Sequence, residues 1–196
     1  EQYFRTPENG RLHASVCPEA MTTLITGGSK CGKSSFAESL SLCLAGNGPV
    51  TYLATMRVSG EEDKQIVARH QKAREGKGFV VLERSENLGG LATADAVVLL
   101  EDVPNLLANE MFGGAGAKRA LTGIRHLIAV CRHLILVTNE VGCDSMDYSP
   151  ETSEFIDLLG QLNQGLAQLS DAVFEVVCGL PQVLKGELPC NLPARF

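Results

Sequence analysis

Between Thr22 and Lys185 the chain alternates short apolar runs with longer stretches in which apolar residues recur every three or four positions. The short runs predict strands over residues 23–26, 50–54, 79–82, 96–101, 134–139 and 172–177. The helical spacing predicts helices over 33–45, 61–74, 104–112, 118–131 and 150–169, and residues 182–185 read as an edge strand. Runs such as Val97-Val98-Leu99-Leu100 are apolar on both faces, which suits strands covered by helices on both sides. The pattern predicts an α/β fold with a mostly parallel sheet flanked by helices. Residues 1–20 show no period, and Met21 stands directly before the first strand. We expect a leader over 1–20, one domain over 21–188 and a tail over 189–196.

Composition narrows the function classes. With 44% hydrophobic and 20% charged residues among 196, the chain can bury a core. Its longest apolar runs are of strand length, far short of the roughly 20 residues of a membrane span, so no membrane insertion is expected. Lys and Arg number 17 against 23 Asp and Glu, a net charge of −6. Such a surface repels polyanions, and no nucleic-acid partner is expected. The seven cysteines form no Cys-x-x-Cys, and the four histidines complete no zinc spacing. This predicts reduced thiols in a cytoplasmic protein.

The sharpest signal is Gly27-Gly28-Ser29-Lys30-Cys31-Gly32-Lys33-Ser34, which satisfies G-x-x-x-x-G-K-[ST] between a strand and a helix. Glycines let the backbone turn tightly and aim successive N–H groups at a phosphate chain, and the helix N-terminus adds to the field. Lys33 is expected on the β/γ oxygens and the Ser34 hydroxyl on Mg²⁺. P-loop folds supply an acid from a neighbouring strand, and Glu101 ends the run Val97-Val98-Leu99-Leu100. It would bind Mg²⁺, through water or directly, or orient the attacking hydroxyl. Asp102 is a second candidate, with helix capping as its alternative.

Two further groups carry chemistry. In the 61–74 stretch His70 is followed four residues later by Arg74, a spacing that places imidazole and guanidinium on one helix face. Neutral imidazole is a competent phosphorus nucleophile, although a solvated surface histidine fits the same pattern. Asn139 and Glu140 follow an apolar strand and are expected at the carboxyl edge beside the P-loop, in a substrate-positioning role or a strand-to-loop turn. His126 and His133 lie in apolar surroundings and read as packing or surface residues.

Taken together, Ile25-Thr26-Gly27-Gly28, Gly32-Lys33-Ser34, Tyr52-Leu53-Ala54-Thr55, Arg69-His70-x-x-x-Arg74, Leu99-Leu100-Glu101, Asn105-Leu106-Leu107-Ala108-Asn109, Val137-Thr138-Asn139-Glu140-Val141-Gly142, Leu162-Asn163-Gln164 and Cys178-Gly179-Leu180-Pro181 resemble the adenosylcobinamide kinase/adenosylcobinamide-phosphate guanylyltransferase family. The resemblance runs from about Thr22 to Lys185. It implies a RecA-like P-loop fold with ATP and GTP as substrates, and a bifunctional enzyme of cobalamin biosynthesis. A nucleoside triphosphate would phosphorylate adenosylcobinamide. GTP would then guanylylate His70, and the guanylyl group would pass to adenosylcobinamide phosphate. The resemblance also implies nucleotide contacts at Ala54, Thr55, Met56, Gln71, Lys72, Ala73, Arg74, Glu83 and Glu101, with Glu83 suited to the guanine N1–H and N2–H edge. A homo-oligomer is implied as well. The chain departs from the family pattern at Ile66, where an arginine is common, at Phe79, where a Trp is usual, and over 143–154, which is acidic instead of arginine-bearing. Two other readings stay open: a P-loop small-molecule kinase without the histidine step, and a nucleotide-dependent switch without turnover.

Overall fold

Alternation along the strands decides which side chains meet which layer of helices. The computed structural model describes residues 20–57, 60–61, 68, 74, 76–92, 96–142, 146–189 and 192. In chain order it contains β1 (Met21–Thr26), α1 (Lys33–Ala45), β2 (Val50–Ala54), β3 (Phe79–Glu83), β4 (Val97–Glu101), α2 (Val103–Phe112), α3 (Ala117–Val130), β5 (His133–Val137), α4 (Pro150–Leu169), β6 (Ala172–Val177) and β7 (Leu180–Lys185). The seven strands form one sheet in the order β3-β2-β4-β5-β1-β6-β7, parallel throughout except for the antiparallel β6–β7 pair.

In β4, Val98 and Leu100 face one core while Val97 and Leu99 face the other. Leu134 and Leu136 of β5 join the first core, and Ile135 and Val137 the second. Leu106 and Leu107 of α2, Ile124 and Leu127 of α3, and Leu159, Leu162 and Leu166 of α4 close the first core. Phe36, Ala37, Leu40 and Leu44 of α1 close the second. These central strands are apolar on both faces because both are covered.

The expected strands are all present, with ends shifted by one or two residues. β5 stops at Val137 rather than at residue 139: the Thr138 amide still donates to the Ile25 carbonyl (2.9 Å), but the next carbonyl, of Asn139, accepts from Asn163 Nδ2 (3.1 Å). β7 starts at Leu180, two residues earlier than expected, because Cys178 and Gly179 alone make the turn from β6. Both have positive φ, 52° and 80°, the type I′ geometry that suits a two-residue hairpin. Of the expected helix over 61–74, only Glu61, Ala68 and Arg74 are among the described residues. Nearly all of the expected leader and much of the tail beyond residue 189 lie outside them too.

Two expectations need correction. The strand bearing Glu101 is not the P-loop strand's neighbour, because β5 stands between β1 and β4. The thiols are not uniformly reduced. Cys31, Cys131 and Cys178 are in no disulfide, whereas Cys43 on α1 is disulfide-bonded. Spacing along the chain could not reveal a pairing made across space.

Candidate active site

The loop between β1 and α1 is shaped by backbone that L-side chains resist. Gly27 has φ 139°, and a Cβ there would lie 2.5 Å from the Val176 carbonyl oxygen of β6. Lys30 and Gly32 also take positive φ, 57° and 102°. From the other side the hairpin turn braces the loop, where Gly179 N donates to the Cys31 carbonyl at 2.8 Å. Gly32 offers α1 no side-chain cap, and the first turn carries no acid. The first N–H groups of α1 are therefore available to an anion. Lys30 to Ser35 line a pocket of about 240 Å³ over this end. The Lys33 ammonium is buried in the loop, donating to the carbonyls of Gly27 (2.9 Å) and Gly28 (2.6 Å).

Strand register carries the acid to the same edge. Ala54 of β2 pairs with both Glu83 of β3 and Glu101 of β4, Glu101 pairs with Val137 of β5, and Val137 with Ile25 of β1. One row thus crosses the sheet two residues before Gly27. Glu101 has the parity of Val97 and Leu99, so its carboxylate turns to the α1 face, where Ser34 Oγ donates to Glu101 Oε1 in a short hydrogen bond. The other oxygen, Oε2, is buried and has no hydrogen-bond partner among the described residues. A hydroxyl beside a half-satisfied carboxylate is a hard-oxygen donor set that fits Mg²⁺. Among the described residues no group of three or more His, Cys, Asp or Glu gathers at a metal site.

Behind Glu101 lies a buried polar chain. The Tyr52 ring of β2 is covered by the Arg74 guanidinium at 3.6 Å, and Arg74 NH2 donates to the Tyr52 hydroxyl at 2.7 Å. Arg74 Nε donates to Glu38 Oε1 of α1 at 2.7 Å. Burial pushes the Tyr52 phenol far above its ordinary value, and the facing Glu101 carboxylate pushes it further. Tyr52 therefore stays protonated.

A family model for cobinamide kinase/cobinamide phosphate guanyltransferase matches residues 23–184. The chain belongs to this family. The bifunctional adenosylcobalamin biosynthesis proteins CobU of Escherichia coli and Salmonella typhimurium are 32% and 33% identical to it. Each alignment covers 84% of this chain and the whole relative. CobP of Pseudomonas aeruginosa is 31% identical over 85% of this chain and 99% of its own. The flagellar accessory protein FlaH of Methanocaldococcus jannaschii shares the α/β RecA-like fold, with a TM-score of 0.53 at 14% identity. That alignment covers 90% of this chain and 83% of FlaH.

Against the site residues read from the cobinamide kinase/guanylyltransferase pattern, the structure separates roles. Gly27 to Ser34 and Glu101 come together as described. Thr55 lies at the same edge but is fully buried, and its hydroxyl is used twice by Asp102: it donates to the carbonyl (2.7 Å) and accepts from the amide (2.8 Å). Thr55 thereby clamps β2 to β4, with Ala54 and Met56 half-buried on either side. Asp102 caps α2, accepting from Asn105 N at 2.8 Å, and burial raises its carboxyl above the ordinary range. Arg74, expected beside guanylate, is buried and held by Glu38 and Tyr52. Glu83 is exposed at the end of β3 and lines an open cleft of about 420 Å³ with Arg84, Ser85, Glu86, Asn87 and Arg119. Across four strand spacings it stands roughly 19 Å along the sheet from β1. Asn139 is half-buried, its carbonyl held by Asn163, and Glu140 is exposed; β5 is indeed the neighbour of β1. His133 is buried and His126 Nε2 donates to the Leu91 carbonyl at 3.1 Å, both in packing positions. His70, Gln71, Lys72 and Ala73 lie outside the described residues.

Sequence reasoning missed Glu38 and the load on Asn109, whose side-chain amide donates to the carbonyls of Thr55 and Ser85. Glu38 carried a readable signal: it follows Ser34 by four, one helical turn along α1.

Proposed function

We propose that this chain phosphorylates adenosylcobinamide and then converts adenosylcobinamide phosphate to adenosylcobinamide-GDP. The observation that carries the reading is the Ser34–Glu101 contact beneath the uncapped end of α1, in a chain of this family. In the first reaction the aminopropanol hydroxyl of the substrate attacks the γ-phosphorus of a nucleoside triphosphate, and the nucleoside diphosphate leaves. Loop amides and Lys33 stabilise charge on the transferring group, and Glu101 faces the place where the hydroxyl loses its proton. Ser34 and Glu101 would hold Mg²⁺, which neutralises phosphate charge when bound. In the second reaction His70 attacks the α-phosphorus of GTP and pyrophosphate leaves. A phosphate oxygen of adenosylcobinamide phosphate then attacks the guanylyl phosphorus and frees the histidine. Glu83, with its carboxylate in the polar cleft, is suited to accept from the guanine edge.

We take Asn139 and Glu140 as substrate-positioning residues at the loop beside β1. The reading also carries a cytoplasmic setting, where both nucleoside triphosphates are at hand. Among the described residues no helix is long and apolar enough to cross a membrane. A homo-oligomer fits the exposed apolar side chains Leu180, Val183 and Leu184 of β7.

The test follows each half separately. GTP labelled at the α-phosphate should leave acid-labile, alkali-stable label on the denatured chain, and His70→Ala should abolish it while phosphorylation of adenosylcobinamide continues. Lys33→Ala should slow that phosphorylation by about 10²–10³-fold. Phosphorylation without any protein label would reduce the reading to a small-molecule kinase. Unimpaired turnover in Lys33→Ala would refute the P-loop assignment.

A further inference from the structure

The family pattern suggests that Arg74 touches the nucleotide, yet its guanidinium is buried and held inside the fold. Its side chain is 4% exposed. One face lies on the Tyr52 ring, Nε is spent on Glu38, and NH2 on the Tyr52 hydroxyl. A stacked, two-edged contact of this kind needs a planar fork, which lysine lacks. Both partners stand close to P-loop residues rather than among them. Glu38 sits one turn, about 6 Å, along α1 from Ser34, and Tyr52 faces the carboxylate of Glu101.

We infer that Arg74 is a positioning residue: the Glu38–Arg74–Tyr52 contact fastens the chain just after His70 to α1 and β2, so that the nucleophile is presented in a fixed relation to the phosphate-binding end of α1. The inference rests on guanylyl transfer through His70. Arg74 follows that histidine by four residues, one turn of the expected helix. Holding Arg74 in place holds the chain four residues after the nucleophile. It supplies orientation without binding energy for GTP. Losing it lowers the rate of attack at saturating GTP and leaves affinity untouched.

A double-mutant cycle tests this. Glu38→Gln, Arg74→Lys and the double variant are compared with the unmodified chain for three quantities: the dissociation constant of GTP, the rate of covalent label from α-labelled GTP at saturation, and the rate of adenosylcobinamide phosphorylation. Each single variant should label about tenfold more slowly or worse. The GTP dissociation constant should stay within about twofold in all of them, and so should phosphorylation in Glu38→Gln. The double variant should be no slower than either single one, because both changes break the same contact. Tyr52→Phe removes one contact without leaving a buried charge unpaired, so it serves if thermal melting shows that Glu38→Gln is poorly folded. It should also label more slowly at an unchanged GTP dissociation constant.

Normal labelling in a folded Glu38→Gln or Tyr52→Phe chain would overturn the inference. So would a weakened GTP affinity in Arg74→Lys with a normal rate at saturation, the behaviour of a direct ligand. No label on the unmodified chain would overturn the histidine reading itself, and this inference with it. Label on the unmodified chain beside undisturbed variants would overturn this inference alone.

Discussion

His133 opens β5, is 2% exposed, and its Nδ1 has no hydrogen-bond partner among the described residues. Burial holds its pKa below the ordinary 6.5, and the neighbouring Arg132 adds to the shift. The folded chain therefore binds this proton less readily than the unfolded chain, and stability falls as pH drops below about 6.5. The slope from this one group is at most about 1.4 kcal/mol per pH unit. Melting temperatures from pH 8 to pH 5 should decline, and His133→Phe should flatten that decline whatever it does to stability at pH 8. An unaltered slope would assign the pH response to other groups. Other side chains differed in how readable they were. Glu101 was legible because the parity of an apolar strand fixes the face of the residue that ends it. The Tyr52–Arg74–Glu38 contact was not. It joins a strand, a residue from the 61–74 stretch and α1, and no linear spacing encodes a meeting of three elements. The Cys43 disulfide was hidden for the same reason.

Helix starts were the most readable units, since their chemistry is local. Asp102 followed by Val103-Pro104 reads as a cap with proline in the first turn, and α2 begins there. Ser149 before Pro150 does the same for α4, donating no charge but accepting from Thr152 N at 3.3 Å. The capping role makes a prediction that separates Asp102 from Glu101. Asp102→Asn keeps an acceptor for Asn105 N and removes a carboxyl that burial disfavours in its charged form. Melting temperature and adenosylcobinamide phosphorylation should both survive it. Asp102→Ala should lose about 1 kcal/mol, read as a fall of about 2–4 °C in Tm, again with phosphorylation retained. Loss of phosphorylation in Asp102→Asn at an unchanged Tm would instead make Asp102 the catalytic acid. Strand ends were less legible than helix starts. The apolar run to Val137 says nothing of Asn163, 26 residues later, which takes up the next two residues.

The α/β class and the layer arrangement followed from alternation and helical period, but the order of the strands did not. Nothing in the pattern distinguishes β4 beside β1 from β5 beside β1, because both runs are equally apolar and each is followed by a helix. The observed order spreads the chemistry along one edge, with the P-loop on β1, Glu101 two strands away and Glu83 four. Because the P-loop elements converge from β1, α1, β4 and the β6–β7 turn, nucleotide bound there bridges much of the sheet. Mg²⁺ and ATP at about 100 times the dissociation constant should stabilise the chain by about 2.7 kcal/mol, seen as a rise in Tm. Chelation of the metal should reduce that rise, and equal rises with and without chelator would sink the metal role of Ser34 and Glu101. The hairpin at Cys178 and Gly179 bears on the speed of this event. With Gly179 N bonded to the Cys31 carbonyl and β6 pressed against Gly27, the loop takes its shape from the protein's own contacts. Its backbone has little conformational freedom left to surrender on association. Capture of the triphosphate is then governed by encounter rather than by a search of the loop for its bound form.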